Sequence, residues 1–299
     1  MRMFVTGATG FIGSAVVREL IDAGHQVLGL ARSDEAAASL RAAGAAVHRG
    51  TLDDLASLRT AAAASDGVIH IAYIIDFSDF AATAQTDRRA IETLGEALVG
   101  SDRPFVVTSV TVGLPQDRLA TEEDSAPDPG SFAAPRFTSE KAALSFAARG
   151  VRVSVVRLPP SVHGQGDHGF VPRLIGIART KDISAYPGDG ANRWPAVHRL
   201  DAAHLFRLAL EEAPAGTRLH GVGEEGVPIR DIAEVIGRHL DLPVTPISRE
   251  EAYDHFGFLG PIFSLDVPAS STLTQKQLDW QPGQPGLIAD LDEGHYFSD

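Results

Sequence analysis

The run Thr6-Gly7-Ala8-Thr9-Gly10-Phe11-Ile12-Gly13 follows a short apolar stretch, Arg2-Met3-Phe4-Val5, and opens an amphipathic one, Ala15 to Ala23. Three glycines spaced G-x-x-G-x-x-G between a strand-like and a helix-like segment leave few alternatives. They serve a tight turn, a close approach of backbone N–H groups to a ligand, and close packing of helix on strand. A helix start adds unpaired N–H donors and a partial positive charge, which together suit a pyrophosphate. Strand, glycine turn and helix therefore read as a dinucleotide-binding turn. Gly7, Gly10 and Gly13 shape it, and Thr9, Phe11 and Ile12 supply the backbone beside the phosphates.

The next 150 residues repeat that alternation. Apolar runs at Met3–Val5, Val27–Leu30, Val68–Ala72, Phe105–Val107 and Val151–Val156 are separated by Ala- and Leu-rich segments at Ala15–Ala23, Glu35–Ala43, Leu55–Ala63, Phe80–Val99 and Ser139–Arg149. Short unbroken apolar runs are the signature of parallel strands buried on both faces. The fold expected is α/β, a Rossmann-type doubly wound parallel sheet. After Pro159-Pro160 and a Gly- and His-rich stretch the pattern changes. Helix-like Phe170–Ala178, His204–Glu212 and Ile229–Leu240 follow, with a strand-like piece at Arg218–Val222, and six late prolines break the remainder. The expected division is a nucleotide-binding domain over 1–158, with 199–223 returning to it, and a smaller substrate lobe from 159–198 and 224–299.

Composition narrows the class. Lys+Arg 26 against Asp+Glu 39 gives a net charge of -13, the wrong sign for a phosphate backbone or an anionic membrane. With Cys 0 there is no disulfide and no thiol catalysis, which makes the cytoplasm the default compartment. No apolar run reaches the length of a membrane span. A small molecule is the partner this chain is suited to.

The Thr-Gly-x-x-Gly-x-x-Gly signature resembles that of the short-chain dehydrogenase/reductase superfamily, in its extended branch. At the end of the second strand an NAD site usually carries an acidic residue. Here the chain reads Leu28-Gly29-Leu30-Ala31-Arg32-Ser33. Arg32 with Ser33 suits a 2′-phosphate, so NADP is expected over NAD, although Ser33 is also a natural helix N-cap. Asp53 resembles the family's adenine-binding acid, with Asp54 the alternative helix cap. In Gly67-Val68-Ile69-His70-Ile71-Ala72, His70 and Ala72 lie on the strand that lines the nicotinamide riboside in extended members. Tyr73 follows it, either a proton donor or a ring packed with Phe77 and Phe80.

The superfamily's catalytic Tyr-x-x-x-Lys corresponds here to Phe137-Thr138-Ser139-Glu140-Lys141. The resemblance implies that Lys141 holds the nicotinamide ribose, but Phe137 has no proton to give. The fifth strand ends Thr108-Ser109-Val110-Thr111, so the catalytic hydroxyl position falls on Val110 or, with one slip, on Thr111; Ser109 is its neighbour. This resembles the atypical subgroup, which keeps the cofactor fold without the usual acid. Substitute donors are Tyr73, Thr111, His163, His168 and His198. Val156-Arg157-Leu158-Pro159-Pro160-Ser161-Val162-His163-Gly164 looks like the family's Arg-x-x-x-x-Tyr-Gly segment, with His163 in place of Tyr. His198 and Asp201 match a Val-His-Val-x-Asp segment whose polar residues fix the lobe to the core.

Three functions compete at this level. The first is an NADP(H)-dependent oxidoreductase reducing a small apolar carbonyl or conjugated substrate. The second is a non-catalytic NADP(H)-binding sensor or scaffold, and the third an epimerase or dehydratase. No metal site is expected, because His163, Asp167 and His168 lack a ligand register. The acidic run Thr121 to Asp128 reads as a solvated turn. Phe256 to Phe263 either lines a pocket or forms the lobe's core. Phe80–Val99 and Ser139–Arg149 either pair across a homodimer or simply cover the sheet.

Overall fold

The computed structural model describes residues 1–73, 80–116, 118–125 and 133–298, with the side chains of Phe80 and Ala81 left aside. The chain builds β1 (Arg2–Thr6), α1 (Phe11–Asp22), β2 (Gln26–Ala31), α2 (Asp34–Ala42), β3 (Ala46–Arg49), α3 (Leu55–Ala63), β4 (Gly67–His70), α4 (Phe80–Glu96), β5 (Pro104–Val110), α5 (Ala134–Leu144) and β6 (Arg152–Leu158). A second region adds β7 (Ser161–His163), α6 (Phe170–Lys181), β8 (Ser184–Pro187), β9 (Arg193–His198), α7 (Arg199–Glu212), β10 (Thr217–His220), β11 (Glu224–Pro228), α8 (Ile229–Leu240), β12 (Val244–Ile247), α9 (Glu251–Phe256), α10 (Leu259–Phe263), α11 (Thr272–Leu278) and α12 (Leu287–Asp292).

Seven parallel strands form one sheet in the order β10-β6-β5-β4-β1-β2-β3. This is the doubly wound fold that the alternation implies. The cause is burial: Met3, Phe4, Val5, Val68, Ile69, Phe105 and Val106 are all fully buried. One face packs against α1, α2 and α7 through Val16, Leu20, Leu40, Leu205 and Phe206. The other packs against α3, α4 and α5 through Leu58, Ile91, Leu94 and Ala143. Strand order reverses between β1 and β4, and ligands of open α/β sheets bind at the carboxyl ends around such a reversal. Gly7 and the segment after His70 lie there.

Smaller sheets of order β11-β9-β7 and β12-β8 form the second region. Its core is Trp194, Ile229, Ile232, Phe256, Leu259 and Phe263, so most of the aromatic segment expected as a pocket wall or core is core. That segment is helical, as α9 and α10, although Gly257, Gly260 and Pro261 made it read as loop. Residues 199–220 return to the main sheet as α7 and β10, with α7 packed on α1. β3, β7, β8, β9, β11 and β12 have no counterpart among the apolar runs. β3 is an edge strand that mixes Val47 with His48 and Arg49. β9 is central but carries Pro195; a register shift between Glu224 and Val227 lies opposite, as expected where a ladder N–H is missing.

The acidic run differs from expectation as well. Glu122 is buried and accepts from both the backbone N–H and the hydroxyl of Thr274, at 2.7 and 2.6 Å. Asp124 pairs with Arg118. Two helix-start donors and a guanidinium make this turn a structural anchor rather than a solvated one. Ala126, Pro127 and Asp128 lie outside the described residues.

Candidate active site

The glycine turn is held by backbone contacts that no side chain would permit. Gly7 has φ +69, and a Cβ there would lie 2.7 Å from the Ala72 nitrogen. A Cβ on Gly13 would lie 1.9 Å from the Gly7 carbonyl oxygen, which accepts from Gly10 N–H at 3.0 Å. α1 therefore starts directly against β1. Its N-cap is Gly10, with no side-chain oxygen on the first N–H groups. Such donors, at the positive end of a helix dipole, suit a phosphate anion. The cradle fits a dinucleotide.

Beside the turn, a buried polar chain leads away from β1. Thr6 Oγ1 meets His70 Nδ1 at 2.8 Å, His70 Nε2 meets Asp87 Oδ1 at 3.2 Å, and Arg136 Nη1 donates to Asp87 Oδ2 at 3.0 Å. Arg136 Nη2 also donates to the Thr108 carbonyl at 2.7 Å. Burial pushes the Asp87 carboxyl up, but Arg136 and His70 outweigh it and hold it below the usual range. His70 is thus a link in a structural network, its side chain 1% exposed. Ala72 joins the same network through its N–H, which reaches Thr6 Oγ1 at 3.3 Å.

Tyr73 is the next residue. The Arg136 guanidinium carbon sits 4.1 Å from its ring centroid. Burial raises the phenol's pKa, Arg136 opposes that rise, and Asp87 adds to it. Of the aromatic partners expected for Tyr73, Phe77 and the Phe80 side chain lie outside the described residues.

The α5 segment divides Phe137 from Lys141. Phe137 is 3% exposed and packs with Leu114, Ala120, Ala133, Val222 and Ala269. The Arg157 guanidinium lies 5.4 Å from its ring centroid. Lys141, one turn on, is exposed. Beneath Phe137 runs a second ionic network: Arg157 grips Glu140 through Nε at 3.0 Å and Nη2 at 2.6 Å, and donates to the Asp124 carbonyl at 2.9 Å. Arg218 Nε adds a contact to Glu140 at 3.1 Å. Burial raises the Glu140 pKa, but Arg157 dominates and keeps the carboxyl below its usual range. His220 donates from Nδ1 to the Ser270 carbonyl at 2.8 Å and turns Nε2 toward Arg157 at 3.3 Å. Burial lowers the pKa of this ring.

Hydroxyls gather where β5 ends. Thr111 is 2% exposed, and among the described residues neither its Oγ1 nor that of Thr108 has a hydrogen-bond partner. Ser109 is 1% exposed; its hydroxyl favours the ionised form of Glu140 without a hydrogen bond of regular geometry. The strand end therefore holds buried hydroxyls, and Val110 among them packs against the cluster around Phe137.

A family model, "Epimerase: NAD dependent epimerase/dehydratase family", matches residues 3–220. The chain belongs to this family. A relative from Schizosaccharomyces pombe (strain 972 / ATCC 24843), described only as an uncharacterized protein, is 53% identical over 99% of this chain and 100% of its own. The 2-alkyl-3-oxoalkanoate reductase of Stenotrophomonas maltophilia (strain K279a) is 30% identical over 78% of this chain and 73% of its own. Among solved structures, DesIV, a dTDP-glucose 4,6-dehydratase of Streptomyces venezuelae with NAD and TYD bound, superposes with a TM-score of 0.78 at 21% identity, covering 99% of this chain and 96% of that one. Family membership makes the chain an NAD(P)-binding protein of the oxidoreductase and epimerase type.

Within that family frame the remaining candidates take different places. Ser33 is the N-cap of α2, accepting from Ala36 N–H at 3.1 Å, and Arg32 beside it is exposed. Asp54 caps α3 through Ser57 N–H at 3.0 Å, which leaves the Asp53 carboxylate exposed. His163 is 1% exposed and bound through Nδ1 to Asp290 at 2.8 Å, tying α12 to β7. His198 is the N-cap of α7, accepting from Leu200 N–H at 3.3 Å. Burial, then His163, lowers its pKa. His168 is exposed and meets the Phe11 ring edge-on at 5.9 Å. The structure brings Gly7, Gly10, Gly13, Ala72 and Tyr73 together at the sheet's reversal. Sequence reading did not single out Asp87, Arg136 or Asp290, because each matters only through a partner distant in the chain. Asp290, Glu293 and His295 also place ligating atoms within 4.8 Å of one another, and His163 already occupies one Asp290 oxygen.

Proposed function

We propose that this family member is an NADPH-dependent reductase of a small, largely apolar carbonyl or conjugated substrate, with Tyr73 as the proton donor. The observation that carries the reading is the Tyr73–Arg136 contact beside the glycine turn, set against Phe137, which lacks a hydroxyl and is packed away. Bound reduced nicotinamide supplies the hydride. A phenol whose pKa is raised by burial stays protonated near neutral pH, the form a donor needs. Its Oη passes the proton to the substrate oxygen, or to carbon in a conjugated system. Arg136, anchored by Asp87 and the Thr108 carbonyl, lies over the ring and eases the negative charge left on it. Val110, partly buried, packs against the apolar cluster that includes Leu114 and Phe137.

The kinship with a 2-alkyl-3-oxoalkanoate reductase favours a carbonyl substrate. NADP is favoured by Arg32 and by Arg49, which pairs across from Ala31 at the end of β3 and holds Asp34, the nearest acid after the end of β2. In the same reading Lys141 holds the nicotinamide ribose, as the family motif implies.

Tyr73→Phe tests the assignment in steady-state reduction of a β-keto ester or enone panel. A lost general acid lowers kcat by about 10²–10⁴-fold, with the NADPH Kd unchanged. An unchanged kcat removes Tyr73 from the reaction. No NADPH consumption by the parent protein across the whole panel removes the reductase reading.

A further inference from the structure

Arg199 opens α7, and its guanidinium crosses to the start of α1. Nη1 donates to the Gln165 carbonyl at 2.8 Å, Nη2 reaches Ser14 Oγ at 3.4 Å, and the guanidinium carbon lies 4.8 Å from the Phe11 ring centroid. All three partners are neutral. Arg136, Arg157 and Arg207, by contrast, face carboxylates. Among the described residues no carboxylate pairs with Arg199.

Two other part-buried arginines without a carboxylate show why this position is unusual. Arg103 donates to the carbonyls of Ala62, Ala63 and Ala97, at the ends of α3 and α4. Arg152 does the same with Leu210, Glu211 and Ala213, at the end of α7. Those cations rest against the negative ends of helices, where a positive charge is stabilised. Arg199 stands at the opposite pole of two helices, beside the N-terminus of α1 and at that of α7. Burial alone disfavours its charged form, with no acid to compensate. A dianionic group between it and α1 would resolve both the repulsion and the missing partner.

We propose that Arg199 is the second jaw of a diphosphate clamp: the uncapped N–H groups of α1 hold one side of the dinucleotide's diphosphate, and the Arg199 guanidinium closes on the other. The same side chain holds the Gln165 carbonyl. The clamp therefore ties the loop between β7 and α6, where Gly164 has φ +130 and Gly166 has φ +85, to the bound diphosphate. Substrate-lobe position and cofactor occupancy become linked through one residue. The proposal rests on dinucleotide binding by the family fold and is independent of which reaction follows.

Calorimetric titration of the full chain tests it with three ligands: NADP⁺, ADP-ribose, which has the diphosphate but no nicotinamide, and 2′-AMP, which has no diphosphate. Arg199→Gln keeps a donor for Gln165 and removes the charge. It weakens NADP⁺ and ADP-ribose by the same factor, about 10- to 100-fold, and leaves 2′-AMP unchanged. Arg199→Lys recovers part of the loss, and the ligand-free Gln variant melts at or above the parent temperature because an unpaired cation is gone. Unchanged ADP-ribose affinity overturns the proposal. So does an equal loss for all three ligands, or a lower melting temperature with unchanged affinities, since these describe a purely structural arginine. Because no turnover is read, loss of the reductase assignment leaves this result standing.

Discussion

Two stretches at the carboxyl edge of one sheet are built in opposite ways. The turn after β1 works through backbone: Gly7, Gly10 and Gly13 remove side chains so that α1 can seat against β1 and expose its first N–H groups. The region where β5 meets α5 works through side chains. There Arg157, Glu140, Arg218 and His220 form a buried network under Phe137, and Arg136 with Asp87 supports Tyr73. A backbone device tolerates few sequences and leaves a fixed spacing behind. A side-chain device leaves no such fixed spacing, and here it lies under the packed ring of Phe137.

Cutting the side-chain network has the largest expected effect. Arg157→Met leaves Glu140 buried without its main partner, and losing one member of a buried pair costs about 3–5 kcal/mol. Denaturant unfolding near pH 7 reads that loss. Its sign with pH is set by Glu140, whose folded pKa lies below the reference 4.5. The pair's contribution is fully present above that reference value and fades as pH falls through the lower folded one. The difference between parent and variant should therefore shrink in acid; a constant difference down to acid unfolding would sink the assignment.

Cutting the backbone device costs less stability and more binding. Gly13→Ala drives a methyl group into the Gly7 carbonyl, a backbone atom that no rotamer change can move, and overpacking of this kind costs about 1–3 kcal/mol. NADP⁺ affinity falls by about tenfold or more, because α1 must retreat from the phosphates. Parent-like affinity with an intact melt would show that the close approach is not needed.

The smallest effect is expected at Lys141, an exposed side chain on α5. Lys141→Ala changes stability by no more than about 0.5 kcal/mol, as surface substitutions usually do. A several-fold rise in the NADPH Kd would assign the ribose contact to it; no change would place that contact elsewhere.

Much of the molecule was legible without coordinates. The five apolar runs are β1, β2, β4, β5 and β6, since strands buried on both faces need little but Val, Ile, Leu and Phe. Two of the strands that were missed fail that rule for identifiable reasons: β3 is a polar edge, and β9 accommodates Pro195 at a shifted register. The site divides along the same line. The glycine turn follows from residue order. Asp87 with Arg136, Asp290 with His163, and Arg199 with Ser14 do not, because their partners lie 49, 127 and 185 positions apart.

By itself, then, the sequence determined the parallel sheet and its dinucleotide turn, because local spacing of small and apolar residues carries both. Tertiary structure alone decided which charges meet. It set Arg136 on Tyr73, Arg157 under Phe137, and Arg199 between two helix N-termini with no carboxylate paired to it among the described residues. The physical reason is range: backbone turns are fixed by neighbours in the chain, whereas ion pairs and helix dipoles act across whatever distance folding closes.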